Sequence, residues 1–200
     1  MKGSRSTIRG HSLVELLVVV AIVGLTAAIA LPAFFDIRKR AAVGSASREL
    51  RMIFDSVRSR AITQGRNSAL KFRFERGQWV YSIYDDGDWD GVRNDDIASG
   101  IDRQVSPSRP VLQVEAAARI GLPLSAVTDP DSRRLLIAGE ASPVRFNSST
   151  ICSFSPEGDC TPGSIFLTDG LDHAAMVRVS GSTGRIRLLL FNRSTGRWDE

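Results

Sequence analysis

From Leu16 to Phe35 the chain runs twenty residues without a charged side chain, and Gly24, Thr26 and Pro32 interrupt an otherwise apolar stretch. A helix rises about 1.5 Å per residue, so a run of this length reaches about 30 Å, the hydrocarbon thickness of a bilayer. That excludes a plain soluble fold and predicts a single membrane-crossing helix. Lys2, Arg5 and Arg9 all precede the run. Positive charge on that flank stays cytoplasmic, which places the C-terminal body across the membrane. The same three residues account for most of the formal net charge of +4. Without them the chain is nearly neutral, which argues against a protein that coats nucleic acid through global charge.

An ordinary secretory signal puts small residues and its cleavage site after the hydrophobic region. Here the small residue, Gly10, comes before it, followed by His11-Ser12-Leu13-Val14-Glu15. Glu15 is the anomaly, because a carboxylate in a membrane segment costs roughly 2.5–3.5 kcal/mol and calls for a partner or a role. At these residues the sequence resembles the type IV pilin and type II secretion pseudopilin superfamily. The resemblance is carried by Gly10 before the cut, Glu15 as the fifth residue after it, the apolar helix, and Pro32 within that helix.

The resemblance implies that a prepilin peptidase cuts after Gly10 and methylates the new α-amine of His11. This chain has His11 where the family usually has Phe; the methylation acts on the amine. It also implies that Glu15 meets the methylated amine of a neighbouring pilin or pseudopilin subunit in a helical filament. In low dielectric, such a pair offsets its desolvation only when the two charges meet. The implied location is the inner membrane, single-pass, with the C-terminal head in the periplasm and filament association after assembly. A simple signal-anchor helix with Glu15 at the interface is the plainer alternative.

Beyond Pro32, Ile37, Ala41, Gly44, Leu50, Phe54, Val57 and Ala61 recur at helical spacings among arginines, and Gln64-Gly65 supplies a stop. One long helix is predicted from about Ser12 to Ala61. From Ala69 the period changes to two, with Leu70–Phe74 and Gln78–Tyr84 alternating around Glu75-Arg76-Gly77 as a β-hairpin. Ser106 to Pro143 is predicted to be mostly loop, with a strand near Val111–Val114. Further strands are expected at Val144–Asn147, Ser164–Thr168, Ala174–Ser180 and Arg185–Phe191. The fold class is therefore α+β: a long N-terminal helix, transmembrane then amphipathic, followed by an antiparallel, two-sheet, sandwich-like head. The organisation is a cleaved leader at 1–10, the pilin helix at 11–65 and the periplasmic head at 66–200. The closing run Ser164–Gly170, Val177–Ser180 and Thr183–Arg187 resembles the GspH/FimT branch of minor pseudopilins and minor pilins.

Three local features carry candidate chemistry. Asp86, Asp88, Asp90 and Gly91 reproduce the first half of an EF-hand-type loop with Asn94 at its ninth place. Ile97 stands where a bidentate Glu would close the site, so Asp95 or Asp96 would have to close a shorter loop around a structural calcium. A solvated acidic extension is the alternative. Cys152 and Cys160 share a Ser/Pro/Gly/Thr-rich loop, and an oxidising compartment favours pairing them over two free thiols. Arg185 and Arg187 alternate with Ile186, Leu188 and Leu190, so the arginines share one strand face while the aliphatics face the core. A turn at Gly181–Gly184 would set Arg178 opposite Arg187, with Arg193 following. In the FimT-like relatives a Gly-Arg-x-Arg stretch is associated with DNA, and Gly184–Arg187 matches it. Pairing of these arginines with Asp172, Asp199 or Glu200 is the alternative.

No nucleophile–base constellation or phosphate-cradling glycine loop stands out, and His173 is expected to be an exposed turn residue, so no enzyme activity and no required cofactor are expected. The reading is a minor pseudopilin or pilin of a type II secretion or type IV pilus machine, at low copy or at the tip. Its expected partners are prepilin peptidase, other subunits, the inner membrane, and DNA or secreted cargo. The alternatives are a DNA-binding minor pilin of natural transformation and a membrane-anchored periplasmic calcium-binding module.

Overall fold

The computed structural model describes residues 13–112, 118–130 and 133–200. Helix α1 (Leu13–Gln64) ends where Gly65 takes a left-handed φ of 64°. The chain divides into two compact units between Arg38 and Lys39. Residues 39–65 of the expected helical segment thus group with the strands.

The reason lies in the buried face of α1. Val43, Ala46, Leu50, Phe54, Val57 and Ala61 recur every three or four residues, and each is nearly or wholly buried. Ile37 and Ala41, expected on that face, are exposed. Burial instead begins at Ala42.

Strands β1 (Ser68–Glu75) and β2 (Gln78–Asp85) form the expected hairpin, registered from Ser68↔Asp85 to Glu75↔Gln78. Its two-residue turn has positive φ at Arg76 (51°) and Gly77 (81°), the I′ geometry that matches strand twist. A short helix α2 (Asn94–Ser99) follows, then β3 (Arg103–Gln104) and β4 (Arg109–Pro110), both paired to β2. The strand expected near Val111–Val114 is not found at Val111 and Leu112, and residues 113 and 114 lie outside the described ones. β4 ends at Pro110, and the Val111 N–H donates to the Trp79 carbonyl at 3.0 Å while its side chain is buried.

The remaining strands are β5 (Arg119–Ile120), β6 (Val127–Thr128), β7 (Leu135–Leu136), β8 (Val144–Phe146), β9 (Ile151–Phe154), β10 (Gly163–Thr168), β11 (Ala174–Val179), β12 (Ile186–Asn192) and β13 (Arg197–Asp199). One sheet is ordered β3-β2-β1-β9 with β4 also on β2, and a second β13-β12-β11-β10-β5 with β8 also on β10. β6 and β7 form a separate two-stranded sheet.

The main core joins α1 to both larger sheets. The Phe54 ring lies 5.9 Å from Phe72, 6.0 Å from Phe146 and 6.3 Å from Phe154, and Phe72 stacks on Phe146. The second sheet is buried on both faces. Ile165, Leu167, Val177, Val179 and Ile186 enter the main core, whereas Phe166, Met176 and Leu189 pack with Val127 and Leu136 of the β6–β7 hairpin. Phe54→Ala should cost about 3–5 kcal/mol of stability and Phe54→Leu clearly less. Denaturant unfolding of the detergent-solubilised chain checks both.

Candidate functional site

In the first unit, every large apolar side chain named from Leu13 to Phe35 is at least half exposed, and none of the most apolar window is buried within the chain. A helix apolar all round must find its apolar surroundings elsewhere, in lipid or in other helices. Thr26, its interior hydroxyl, donates to the Ile22 and Val23 carbonyls at 3.0 and 2.9 Å, so it presents little polarity outward. Glu15 sits in the first helical turn, where the backbone dipole favours a carboxylate. Pro32 lies inside the helix and removes one donor from its ladder. Gly10 and His11 fall outside the described residues.

In the second unit, the acidic loop is built around two buried carboxylates, one of which the sequence pattern missed. Asp86 accepts from the N–H groups of Asp88 (3.1 Å), Trp89 (2.8 Å) and Gly91 (2.8 Å) and from Asn67 Nδ2 (2.6 Å). Asp102 accepts from the N–H groups of Gly87 (3.1 Å) and Arg93 (2.8 Å). Both carboxylates therefore hold the loop's own backbone.

The six expected ligands do not converge. Asn94 opens α2, which carries Asn94 and Asp95 out of the loop. Carboxylate oxygens instead approach within 4.8 Å in two groups, Asp86–Asp88–Asp102 and Asp88–Asp90–Asp96. These are hard oxygen donors of the kind calcium takes. Desolvation, then the Asp90 hydrogen bond and charge, push the Asp88 carboxyl up; desolvation and the charges of Asp90, Asp88 and Asp102 do the same to Asp96. Asp90 also pairs with Arg93 at 2.5 Å. Asp102 lay outside the twelve-residue frame of the motif, with only its position after α2 to mark it.

The arginines are dispersed. Arg178 and Arg187 are opposite each other as expected, and Arg145 and Ser164 continue the same cross-strand row through β8 and β10. Arg185 precedes β12 and meets Glu200 at 3.2 Å, while Arg193 meets Asp172 at 2.7 Å. Ile186 and Leu188 turn to the main core as expected, but the opposite face is not open, because Leu189 packs there under β6–β7. His173 is half-buried rather than exposed, its Nδ1 lying 3.0 Å from Asp169. Cys152 and Cys160 are brought together as thiols, which donate to the Thr161 and Ser180 carbonyls.

Three carboxylates have native pKa values below the ordinary range. Burial pushes Asp85 up, but Arg60 and Ser68 outweigh it, with two Arg60 contacts at 2.9 and 2.7 Å. Burial likewise opposes the hydrogen bonds from Asn67, Gly91, Trp89 and Asp88 at Asp86, and those from His173 and Leu171 at Asp169; the bonds win at both. A depressed native pKa contributes stability that is full above the unfolded value, about 3.9, and is lost as pH falls through the native one. Stability of the second unit should therefore be steady near neutrality and fall steeply below about pH 4. Asp102→Asn should cost about 1–3 kcal/mol by leaving a buried donor unmatched. Acid titration followed by circular dichroism checks the first expectation, and denaturant unfolding the second.

Comparison with family models matches residues 5–31 to the prokaryotic N-terminal methylation motif. Comparison with curated proteins and with solved structures found no match. The match takes in Arg5, Arg9, Gly10, Glu15 and the exposed apolar helix as far as Leu31, and it marks a type IV pilin-like precursor, processed by prepilin peptidase and anchored in the membrane. Over residues 5–31, which include the first part of α1, the chain is similar to the N-terminal segment of type IV pilins and pseudopilins.

Proposed function

We propose that the chain is a minor pseudopilin or minor pilin that enters a helical filament through α1, its second unit lying on the periplasmic side of the inner membrane. The observation that carries this is the exposed, all-round apolar segment Leu13–Phe35 with Glu15 in its first turn, most of it lying within the methylation motif at residues 5–31. A lone membrane anchor gains nothing from that carboxylate, whereas a filament gives it a neighbour's terminal amine. The branched, strand-rich second unit supports a GspH/FimT-like role, in which it contacts other minor subunits or secreted cargo.

Intact mass of the protein recovered from its own inner membrane tests the first step. The expected species begins at His11 and carries one added methyl. Retention of Met1–Gly10 would overturn the filament reading in favour of a membrane-anchored module that never polymerises. Glu15→Ala should leave cleavage intact and abolish recovery of the chain in sheared filament fractions, as read by immunoblot.

A DNA-binding minor pilin is the second reading, and the row Arg145, Arg178 and Arg187 across neighbouring strands favours it. The pairing of Arg185 with Glu200 and Arg193 with Asp172 weighs against it. Phosphate contacts release counterions, so binding by this row should fall steeply with salt and be lost in an Arg178→Ala/Arg187→Ala double variant. Absence of duplex binding at low salt in a gel-shift titration would remove this reading.

A further inference from the structure

Cys152 lies inside β9 and is fully buried, while Cys160 stands half-buried where the following loop turns back toward β10. Backbone pairing holds the two segments together. Phe154 and Cys160 form an isolated antiparallel bridge, and the Thr161 N–H donates to the Ser153 carbonyl at 2.8 Å. The Cys152 thiol donates to the Thr161 carbonyl at 3.6 Å and the Cys160 thiol to the Ser180 carbonyl at 3.3 Å, and the two thiols are close enough to act on each other's titration.

The surroundings of the two sulfurs differ. Arg58 reaches from α1 into the β11–β12 turn, its Nη2 donating to the Thr183 carbonyl at 3.3 Å. Its guanidinium also lies against Gly158 and Gly184, and Gly184, at φ 57°, approaches the Gly158 carbonyl so closely that no Cβ would fit. The neighbouring Cys152 and the Arg58 charge hold the Cys160 thiol below its ordinary range, against burial and Asp159. Burial pushes the Cys152 thiol well up.

We propose that Cys152 and Cys160 form an oxidation site of fixed polarity, in which Cys160 attacks an incoming disulfide and Cys152 resolves it to close the 152–160 loop. The oxidant is a disulfide, either a protein dithiol oxidase or a small-molecule disulfide. The Cys160 thiolate forms a bond to one donor sulfur and expels the other as a thiolate. Cys152 then gives up its proton to the expelled thiolate, attacks the Cys160 sulfur and expels the second donor thiolate, which takes from solvent the proton that Cys160 had released. Two electrons pass to the donor, two protons leave with its thiols, and one intramolecular disulfide remains. Arg58 acts through Cys160 as a positioning residue, favouring the thiolate without touching the donor. The site does not depend on the filament reading; it requires only that the second unit meets a disulfide donor.

The test uses the full-length chain in detergent, reduced and then mixed with oxidised glutathione, with products read by intact mass and peptide mapping. Cys152→Ser should trap one glutathione on Cys160, Cys160→Ser should stay unmodified in the same time, and the parent chain should lose two hydrogens with no lasting adduct. Equal adduct formation on Cys152 and Cys160 in the two variants would overturn the polarity, and two alkylatable thiols in the treated parent chain would overturn the site. Unfolding curves of the variants that match the reduced parent chain's confirm that the difference is local; Cys152→Ala and Cys160→Ala replace the serine variants if they do not. Arg58→Gln should slow adduct formation on Cys160 by about threefold or more in the Cys152→Ser background, and Arg58→Lys should restore it. A change within about twofold for Arg58→Gln would remove Arg58 from the proposal.

Discussion

Phe54 leaves the helix into a group of three rings, Phe72 from the first sheet, Phe146 from the second and Phe154 from β9, and none of these contacts is local in sequence. Because it is fully buried between strands of two different sheets, its packing fixes which helical face turns inward. The positions in phase with it, Val43, Ala46, Leu50, Val57 and Ala61, then follow by periodicity. Arg60 is carried on the same helix to Asp85 at the end of β2, which ties the hairpin to the helix by a two-point ion pair beside a buried serine hydroxyl. The apolar segment before Arg38 has no such inward face, so the stretch that builds the core and the stretch left exposed are separate parts of one helix.

The carboxylates of the second unit show how a motif can be absorbed by its own backbone. Asp86 and Asp102 gather the N–H groups of a tight loop that would otherwise be left without acceptors in a partly buried place. The same loop brings Asp88 into both groups of carboxylates, and desolvation together with neighbouring negative charge raises the Asp88 and Asp96 carboxyls. Structural and ligand-like uses of acidic residues therefore overlap here, and the buried pair accounts for the loop's shape by itself.

Sequence alone was most informative where a single period or a charge gap dominated. The β1–β2 hairpin and strands β8, β10, β11 and β12 lie within a residue or two of their expected bounds, and the long helix ends three residues beyond its expected Ala61. β9 escaped because Ile151-Cys152-Ser153-Phe154 is too short to show a period, and its pairing to β1 comes from distant residues. The two-residue strands between Arg109 and Leu136 have no local signature either. Alternation in β12 predicts arginines on one face and aliphatics toward the core on the other, yet Leu189, on the arginine face, is buried with Phe166 and Met176, because a hairpin far upstream covers that side. Arg58 and Asp102 were invisible as site residues for the same reason: one neighbours Cys160 and the other neighbours Gly87 only after the chain has folded.

The indole of Trp198 donates to the carbonyl of Thr128 at 2.7 Å, across a sequence separation of 70 residues, while its ring packs on Phe166 and Phe191. β13 thus latches the hairpin that roofs the second core. A fusion partner or deletion placed at this strand would act on the roof before it acted on any surface of its own. Loss of partner binding in such a derivative would then report an unroofed sheet, and mapping of contact surfaces on this molecule is safer from the β1–β2 turn, where Arg76 and Gly77 touch neither core.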